Sequence, residues 1–461
     1  MKSFDAIIIG AGQAGPSLAG KLTSAGMTVA FIERKLFGGT CVNTGCMPTK
    51  TLVASAYVAH LVRRAADYGV VLDGPIRVDM KKAKARADTV TTNARTGVET
   101  YLREMQGCTV ISGHARLEGP DRVRVGEDLL TAPRIFLNVG GRAFVPDLPG
   151  IDEVPVLTNT TMLALDRLPE HLVVVGGSYV GLEFAQMYRR FGAQVTVVEK
   201  GPRLIAREDE DVSEAIREIL ERENITVRTN AECIRFAPHA RGVAVGVSCT
   251  EGEPVAIGSH VLLAVGRRPN TDDLGLERAG IVTDARGYIT VDDSLATNVP
   301  GIWALGDCNG RGAFTHTAYN DFEIIAANLL AGERRHLRDR IPAYALYIDP
   351  PLGRVGMTER EARASGRPLL IGRRPMNRVG RAVEKDETQG FMKILVDTGT
   401  RRILGASILG VGGDEAIHGV LDIMNADVPY EVLERAVPIH PTVSELIPTM
   451  LNGLRPIEKT S

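Results

Sequence analysis

Two copies of one glycine-rich pattern constrain the fold of this chain more than any other feature. The first reads AIIIGAGQAG at residues 6–15, and the second reads VVVGGSYVG at residues 173–181. In each copy an apolar run of strand length precedes the glycines, and a helical stretch and a second apolar run follow them. Strand, glycine turn, helix and strand in this order form the βαβ unit of a dinucleotide-binding domain. The chain is therefore predicted to be an α/β protein with two Rossmann-like nucleotide-binding domains, each built on a largely parallel sheet.

The first copy predicts a pyrophosphate site. Gly10, Gly12 and Gly15 fit the pattern G-x-G-x-x-G and open a helix, so the backbone can approach a pyrophosphate at the helix N-terminus. Glu33 ends the next strand, where a carboxylate accepts a hydrogen bond from a ribose hydroxyl. Strand, helix and acid together favour dinucleotide binding over a simple tight turn.

The second copy keeps Gly176 and Gly181, but Ser178 stands where the middle glycine is expected. A serine is small and still permits close approach of a ligand. Glu199 ends the second strand of this unit. A carboxylate at that place favours a free 2′-hydroxyl over a 2′-phosphate, so the second site is predicted to prefer NADH to NADPH.

The charge balance excludes two classes of partner. The sequence has 54 basic and 56 acidic side chains and a formal net charge of -2, which offers no field for binding nucleic acid or an anionic membrane. The longest apolar runs, such as HVLLAVG at 260–266, have strand length and are far below a membrane span. Because only a few residues precede the first strand, no signal peptide is expected and the chain is predicted to be cytoplasmic.

The remaining segments predict a discontinuous first domain and a third domain. Residues 266–337 have no glycine fingerprint of their own and are interpreted as a return of the chain to the first domain. There Gly306 and Asp307 end a strand, and the aspartate can bond a ribityl or pyrophosphate oxygen. Residues 338–461 change to alternating strands followed by two helices, which predicts an α+β domain. The predicted bounds are 1–145 and 266–337 for the first domain, 146–265 for the second and 338–461 for the third.

Two cysteines lie close together in the stretch GGTCVNTGCMPTK, at residues 38–50. In an ideal helix Cys41 and Cys46 would be about 7.5 Å apart along the axis, whereas a disulfide tolerates Cα separations of up to roughly 6.8 Å. Either they are two unrelated buried thiols, or the backbone is distorted to bring them together. The other cysteines are interpreted as small core residues, and no metal site is predicted: Cys108, Cys233, Cys249 and Cys308.

Seven motifs resemble, in order, those of the pyridine nucleotide-disulfide oxidoreductases, the family of dihydrolipoamide dehydrogenase, glutathione reductase and mercuric reductase. They span residues 4–451 and read GAGQAG, GGTCVNTGCMPTK, NVGGRAFVPDLPG, GGSYVGLE, AVGRRPN, TNVPGIWALGD and HPTVSE. The resemblance implies that the first glycine pattern holds FAD and the second a nicotinamide cofactor. It implies that residues 338–461 form the dimerisation domain of a homodimer. It also assigns Thr40 and Lys50 to the FAD site and Gly266 to the NAD site.

The same resemblance implies that Cys41 and Cys46 form a redox-active disulfide on the flavin. Cys46 is then the partner nearer the ring, and Cys41 is the interchange thiol that meets the substrate. A strained, accessible disulfide is easily reduced, and a thiolate near a helix N-terminus has a lowered pKa. Lys50 follows Cys46 at the i,i+4 spacing that puts both on one helix face, where its ammonium can stabilise negative charge on a reduced flavin.

Four further residues receive roles from the resemblance. Glu183 pairs with Lys50, and Tyr179 covers the nicotinamide pocket until the cofactor enters; the alternatives are a solvated glutamate and a packing tyrosine. His440 is the acid–base group, because an imidazole suits proton transfer to and from a thiol at neutral pH. Glu445 fixes its tautomer. By resemblance this pair serves the disulfide of the other subunit.

These residues predict an FAD-dependent NAD(P)H oxidoreductase in which electrons pass from NADH to FAD, then to the Cys41–Cys46 disulfide, and then to a small disulfide or a thiophilic metal ion. The stretch MPTKTLV favours the mercuric reductase-like oxidoreductases, including those tied to resistance to reactive chlorine and copper. Mercuric reductases themselves typically have a C-terminal cysteine pair and a tyrosine in place of His440. Dihydrolipoamide dehydrogenase is the alternative, although Pro438 replaces a histidine usual there. A flavin-bound redox sensor with little turnover is the alternative of another class.

Overall fold

The first sheet is parallel and carries the first glycine pattern. The fold is that of a computed structural model, which describes residues 1–248 and 254–457 apart from the side chains of residues 233 and 248. In that part of the chain the sheet has five strands, in the spatial order Ile302–Ala304, Ile135–Leu137, Ala6–Ile9, Val29–Glu33 and Cys108–Ser112. Its inner strands are runs of buried apolar residues, as expected for a parallel sheet covered on both faces. Two helices contact each other beside it: Ala14–Ser24 and Thr315–Leu330.

A second parallel sheet carries the second glycine pattern. Within the described residues its four strands follow the order Ile225–Arg228, Gln194–Val198, His171–Val175 and His260–Leu263. Helix Tyr179–Phe191 connects two neighbouring strands and packs on both of them. Helix Glu210–Arg222 makes the next connection. An antiparallel sheet adjoins this unit, with strands Glu232–His239, Gly242–Ser248 and Val255–Gly258.

The C-terminal part is an antiparallel sheet with short helices. Its described strands follow the order Ala343–Leu346, Leu352–Gly356, Ile403–Leu409, Phe391–Asp397, Leu369–Pro375 and Arg455–Pro456. The sequence predicts two helices after these strands, but the structure has four between residues 413 and 452. One of the breaks falls at Asp427, which has a positive φ, and Pro429. They are Gly413–Ala416, His418–Asn425, Glu431–Glu434 and Leu446–Asn452. The predicted fold class, two Rossmann-like units and an α+β domain, is confirmed.

The other elements are short strands and further helices, of which Cys46–Arg63 and Met80–Glu104 are long. The described short strands are Lys2–Ser3, Ala115–Leu117, Arg122–Val125, Asp128–Thr131, Gly141–Ala143 and Arg267–Pro269. The remaining described α-helices are Gly39–Thr44, Cys46–Arg63, Met80–Glu104, Asn159–Met162, Leu276–Ala279, Glu359–Ala364 and Gly380–Glu384. Over the ranges that the structure covers, no helix is both long enough and apolar enough to cross a membrane. The domain bounds stay a prediction.

Buried charges join the second nucleotide-binding unit to the C-terminal sheet. Arg354 and Lys393 lie on strands of that sheet, and each side chain is 1% exposed. Arg354 Nη2 lies 2.5 Å from Glu208 Oε2 and 3.1 Å from Asp209 Oδ2. Lys393 Nζ lies 3.0 Å from the same Asp209 oxygen and 2.8 Å from Asp211 Oδ1. Burial alone would lower the pKa of Arg354, but the carboxylate of Glu208 outweighs it and raises that pKa.

Replacing Arg354 with methionine should destabilise the protein, because it leaves the buried carboxylate of Glu208 without its cation. Removal of one partner from a buried ion pair costs about 3–5 kcal/mol, which should lower the midpoint of urea unfolding. Arg286→Met is the matched control, since the Arg286 side chain is 77% exposed. Equal midpoints for the two variants would contradict a structural role of the buried pair.

Candidate active site

A break in one helix brings the two cysteines together. Helix Gly39–Thr44 ends before Gly45, whose φ of -138° and ψ of -118° are not helical, and a new helix begins at Cys46. Of the two alternatives that the sequence leaves open, the distorted backbone is therefore the correct one. Cys41 and Cys46 are free thiols, and they lie close enough for each to shift the pKa of the other.

The surroundings make Cys46 the more acidic thiol of the pair. The hydrogen bond from Cys41 lowers the pKa of Cys46 to about 6, helped by the Thr315 hydroxyl and the Lys50 ammonium and opposed by burial. Thr315 Oγ1 lies 3.3 Å from Cys46 Sγ. The same interaction with Cys46, together with burial, raises the pKa of Cys41 far above its usual range. Cys46 is therefore the thiol of the pair that loses its proton more readily, and Cys41 is the one that keeps it.

Lys50 is held next to the cysteines by a buried glutamate. Its Nζ lies 2.6 Å from Oε2 of Glu183, whose side chain is 7% exposed. The other oxygen of Glu183 accepts a hydrogen bond from the backbone N–H of Tyr347 at 3.1 Å, and Lys50 Nζ lies 4.7 Å from the centre of the Tyr347 ring. The structure thus brings together Lys50 and Glu183, as the sequence predicts.

The two glycine loops have the same local geometry. Gly10 has a φ of +106°, and a Cβ there would lie 2.3 Å from the carbonyl oxygen of Asn138. Gly176 has a φ of +115°, and a Cβ there would lie 2.4 Å from the carbonyl oxygen of Ala264. Both positions therefore require glycine. Each loop leads directly into a helix, Ala14–Ser24 or Tyr179–Phe191, whose N-terminus suits a pyrophosphate.

The glutamates that follow the two glycine loops, Glu33 and Glu199, accept hydrogen bonds in the same pattern. Glu33 Oε2 accepts a hydrogen bond from the N–H of Ala11 at 2.8 Å, and Glu199 Oε2 accepts one from the N–H of Gly177 at 2.6 Å. Their Oε1 atoms accept from the N–H of Lys35 at 2.8 Å and of Gly201 at 2.7 Å. A carboxylate has further lone pairs, so both can still accept from a ribose hydroxyl.

Asn138 joins the first glycine loop to the loop at Gly306. Its Nδ2 donates to the carbonyl oxygen of Gly10 at 3.1 Å, and its side chain lies against the positions that a Cβ would take at Gly12, Gly15 and Gly306. Sequence reasoning missed this residue. Its place directly after strand Ile135–Leu137, at the same sheet edge as Gly10, is the signal that could have found it.

Thr40 and Asp307 converge on the backbone of Gly141. Thr40 Oγ1 donates to the Gly141 carbonyl oxygen at 3.4 Å, and Arg267 Nη2 donates to the same atom at 2.6 Å. Asp307 Oδ2 lies 3.6 Å from Arg267, and burial raises the pKa of its carboxyl group. Residues of three separate segments thus line one side of the first glycine loop, and they fit FAD there.

Tyr179 packs with Phe314 and Tyr344 in a group of three rings, the aromatic cluster. The Tyr179 ring meets Tyr344 edge-on at 5.5 Å and Phe314 at 6.1 Å, and the last two rings stack at 5.7 Å. Phe314 precedes Thr315, which contacts Cys46, so the cluster lies between the second glycine loop and the cysteines. Gly181 follows in the same helix, and the space beside the Gly266 Cα is open. No sequence signal identified Phe314 or Tyr344, because they come from other segments.

His440 and Glu445 form a pair on the surface. His440 Nδ1 lies 2.8 Å from Glu445 Oε2, and the His440 side chain is 80% exposed. Its neighbours Val437 and Ile439 are 97% and 79% exposed. No hydrogen bond or ion pair among the described residues connects His440 to Cys41 or Cys46 of the same chain. Exposed apolar residues of this kind are typical of an interface.

Of the other cysteines, the two whose side chains the structure describes, Cys108 and Cys308, have no contact with this pair. Cys308 is fully buried, and burial raises its pKa to about 12. Cys108 is partly buried, and burial raises its pKa to about 11. The side chain of Cys233 and all of Cys249 lie outside the described residues. Among the side chains that are described, no group of three or more His, Cys, Asp and Glu could hold a metal ion.

Two dinucleotide cradles around a dithiol with one acidic sulfur define a dithiol–disulfide oxidoreductase that works with two nucleotide cofactors. Residues 4–321 match the model of the pyridine nucleotide-disulphide oxidoreductase family, and residues 342–451 match the model of its dimerisation domain. The chain belongs to this family, whose typical cofactors are FAD and a pyridine nucleotide. The predicted family and enzyme class are confirmed.

Three relatives cover almost the whole chain. The chain is 37% identical to the probable pyridine nucleotide-disulfide oxidoreductase RclA of Escherichia coli, over 96% of this chain and 98% of that protein. It is 33% identical to dihydrolipoyl dehydrogenase of Rhizobium etli, over 96% of each. It is 31% identical to mercuric reductase of Streptomyces lividans, over 96% and 94%. A solved Cu(II) complex of the HOCl-induced flavoprotein disulfide reductase RclA from Escherichia coli superposes with a TM-score of 0.89, at 35% identity, over 98% and 99% of the chains.

Thr315→Ala should raise the pKa of Cys46 above its value of about 6. A hydrogen bond to a charged group is worth about 1.5–3 kcal/mol, which corresponds to roughly one to two pH units. The rate of Cys46 alkylation by iodoacetamide in the reduced protein, followed by mass spectrometry against pH, measures this pKa. Thr315→Ser keeps the hydroxyl and is the control. If both variants titrate alike, the Thr315 hydroxyl does not stabilise the thiolate.

Proposed function

We propose that the protein is an FAD-dependent NAD(P)H oxidoreductase that reduces a small disulfide or a thiophilic metal ion through Cys41 and Cys46. One observation carries this proposal: Cys46 begins a helix, Cys41 lies beside it across the break at Gly45, and the Lys50–Glu183 pair adjoins them. Such a dithiol can give up two electrons and close to a disulfide, and it can be regenerated by the reverse change. A reducing cytoplasm suits a dithiol of this kind.

The residues around the first glycine loop are proposed to hold FAD. They supply a pyrophosphate cradle, an acceptor for the ribose and polar groups beside Gly141: Gly10, Gly12, Gly15, Glu33, Thr40, Gly306 and Asp307. Lys50 would place its positive charge next to the flavin end of that site, because it follows Cys46 by one helical turn. When bound, FAD supplies two-electron transfer between the nicotinamide and the cysteines.

The second loop is proposed to hold NADH in preference to NADPH. Gly176 and Gly181 form its cradle, and Gly266 borders open space beside it. Glu199 supports the preference, because its carboxylate is fixed by two backbone N–H groups and a 2′-phosphate would meet its negative charge. Tyr179, at the start of the helix that follows the loop, is proposed to cover the nicotinamide pocket until the cofactor enters.

His440 is proposed to move protons for Cys41 of the other subunit in a homodimer. Three features support this role: the bond to Glu445 that orients its ring, its 80% exposure, and its place within the part of the chain that matches the dimerisation domain. With Nδ1 bonded to Glu445, Nε2 is free to take or give the proton of a thiol.

A thiophilic metal ion or a small disulfide is the proposed acceptor, in the manner of the mercuric reductase-like oxidoreductases. The solved relative that is a Cu(II) complex supports copper as one such ion. Dihydrolipoamide dehydrogenase is the second candidate, and the His440–Glu445 pair and the relative of Rhizobium etli favour it. Pro438 stands against it, since the usual histidine is missing there.

The holoenzyme should oxidise NADH faster than NADPH, at a rate within roughly 1–1000 per second with its proper acceptor. Lipoamide, glutathione disulfide, Hg(II) and Cu(II), each tested with both cofactors with and without oxygen, identify that acceptor. Cys46→Ser should remove both this activity and the long-wavelength absorption band of the two-electron-reduced protein. An unchanged band would defeat the assignment of Cys46. If the wild-type protein shows this band but has negligible turnover with every acceptor, the result would favour the redox sensor.

Two variants that are each inactive alone should regain activity when one subunit of each forms a mixed dimer. Cys41→Ser and His440→Gln each remove one half of the proposed site. If His440 acts across the interface, a dimer of one subunit of each kind has one intact site of two. Random pairing of equal amounts then restores roughly a quarter of the wild-type activity per subunit. Co-expression of the two variants, with each variant alone as control, measures it; an inactive mixture would show that His440 does not act in trans.

A further inference from the structure

Tyr344 connects the aromatic cluster to the buried charges. It lies in strand Ala343–Leu346 of the C-terminal sheet, and its hydroxyl donates a hydrogen bond to Oε1 of Glu208. Glu208 is 0% exposed, and its other oxygen lies 2.5 Å from Nη2 of Arg354. Burial raises the pKa of Tyr344, and the Glu208 carboxylate raises it further, so the hydroxyl remains a donor. A phenol bonded in this way is fixed, because its departure would leave a buried acceptor without its partner.

Tyr179 has fewer constraints than Tyr344. It is the first residue of helix Tyr179–Phe191, and its neighbours Ser178 and Val180 are exposed, whereas Tyr344 lies within a strand. The ring makes edge-on contacts with Tyr344 and Phe314, and the hydroxyl of Tyr344 also interacts with that of Tyr179. Phe314 in turn stacks on Tyr344 with an angle of 12° between the rings. Tyr344 is therefore the fixed member of the aromatic cluster, and Tyr179 is the member that can move.

We propose that Tyr344 is a positioning residue that holds Tyr179 in its closed position over the nicotinamide pocket. Glu208 and Arg354 then tie this closed position to the packing of the second nucleotide-binding unit on the C-terminal sheet. The inference rests on the proposed role of Tyr179 as the cover of that pocket. It adds a residue of the C-terminal domain to the determinants of nicotinamide affinity.

The closed position of Tyr179 should weaken the binding of the nicotinamide ring but not that of the rest of the cofactor. Entry of the nicotinamide requires the Tyr179 ring to leave its contacts with Tyr344, whereas ADP-ribose has no nicotinamide and needs no such movement. The energy of one edge-on aromatic pair corresponds to roughly 2- to 10-fold in an equilibrium constant. Weakening the pair should therefore tighten NAD⁺ binding by about that factor and leave ADP-ribose binding unchanged.

Calorimetric titration of the holoenzyme with NAD⁺ and with ADP-ribose tests the proposal, with the ratio of the two dissociation constants as the readout. Tyr344→Leu removes the ring and should change the ratio about twofold to tenfold in favour of NAD⁺. Tyr344→Phe keeps the ring but loses the bond to Glu208, and should change the ratio in the same direction by less. Tyr57→Phe is the matched control: Tyr57 also donates to a glutamate, Glu387, at 2.7 Å, but lies outside the cluster, so the ratio should stay the same.

An unchanged ratio in Tyr344→Leu, or a parallel loss of affinity for both ligands, would overturn the proposal, because either result indicates packing only. If the leucine variant does not fold, Tyr344→Phe decides, since it preserves the volume of the side chain. Tyr179→Ala separates this inference from the one on which it rests. If the ratio of dissociation constants is unchanged in Tyr179→Ala, Tyr179 does not cover the nicotinamide pocket. If the ratio shifts in Tyr179→Ala but not in Tyr344→Leu, only the role of Tyr344 is refuted. Because Tyr179 and Tyr344 act through the same ring contact, a variant with both Tyr179→Ala and Tyr344→Leu should change the ratio no more than Tyr179→Ala does alone.

Discussion

The chemistry of this protein depends on a single interruption of a helix. Because the backbone breaks at Gly45, Cys46 becomes the first residue of a helix of 18 residues, where unpaired N–H groups favour a negative charge. The same break brings Cys41 close to Cys46, and their interaction lowers the pKa of Cys46 and raises that of Cys41. A continuous helix would hold the two sulfurs apart and would bury Cys46 among backbone groups already paired.

Around this dithiol the fold assembles groups from distant parts of the chain. Lys50 comes from the helix of Cys46, Glu183 from the second nucleotide-binding unit and Tyr347 from the C-terminal sheet. Thr315 comes from the segment that returns to the first sheet. Buried ion pairs fix the second unit against the C-terminal sheet, so the relative placement of these groups does not depend on surface contacts alone.

Patterns that are local in sequence were predicted well, and contacts between segments were not. The βαβ units, both glycine loops and Glu33 and Glu199 follow from periodicity and spacing, and the fold class was confirmed. Thr315 and Tyr344 could not be predicted, because no local pattern records that a threonine at one helix start will meet a cysteine at another. The geometry of the cysteines was left open for the same reason: the composition of residues 38–50 permits a helix, and only the fold shows where it breaks.

The two hydrogen bonds that Glu199 accepts from Gly177 and Gly201 have a consequence for changing the cofactor. The residue shapes the loop through these two bonds, so an exchange for arginine would remove the acceptor of two backbone donors at once. Reprogramming the enzyme towards a phosphorylated dinucleotide is thus a problem of rebuilding the turn at 199–201, for instance with a neighbouring aspartate or asparagine, before any positive charge is introduced.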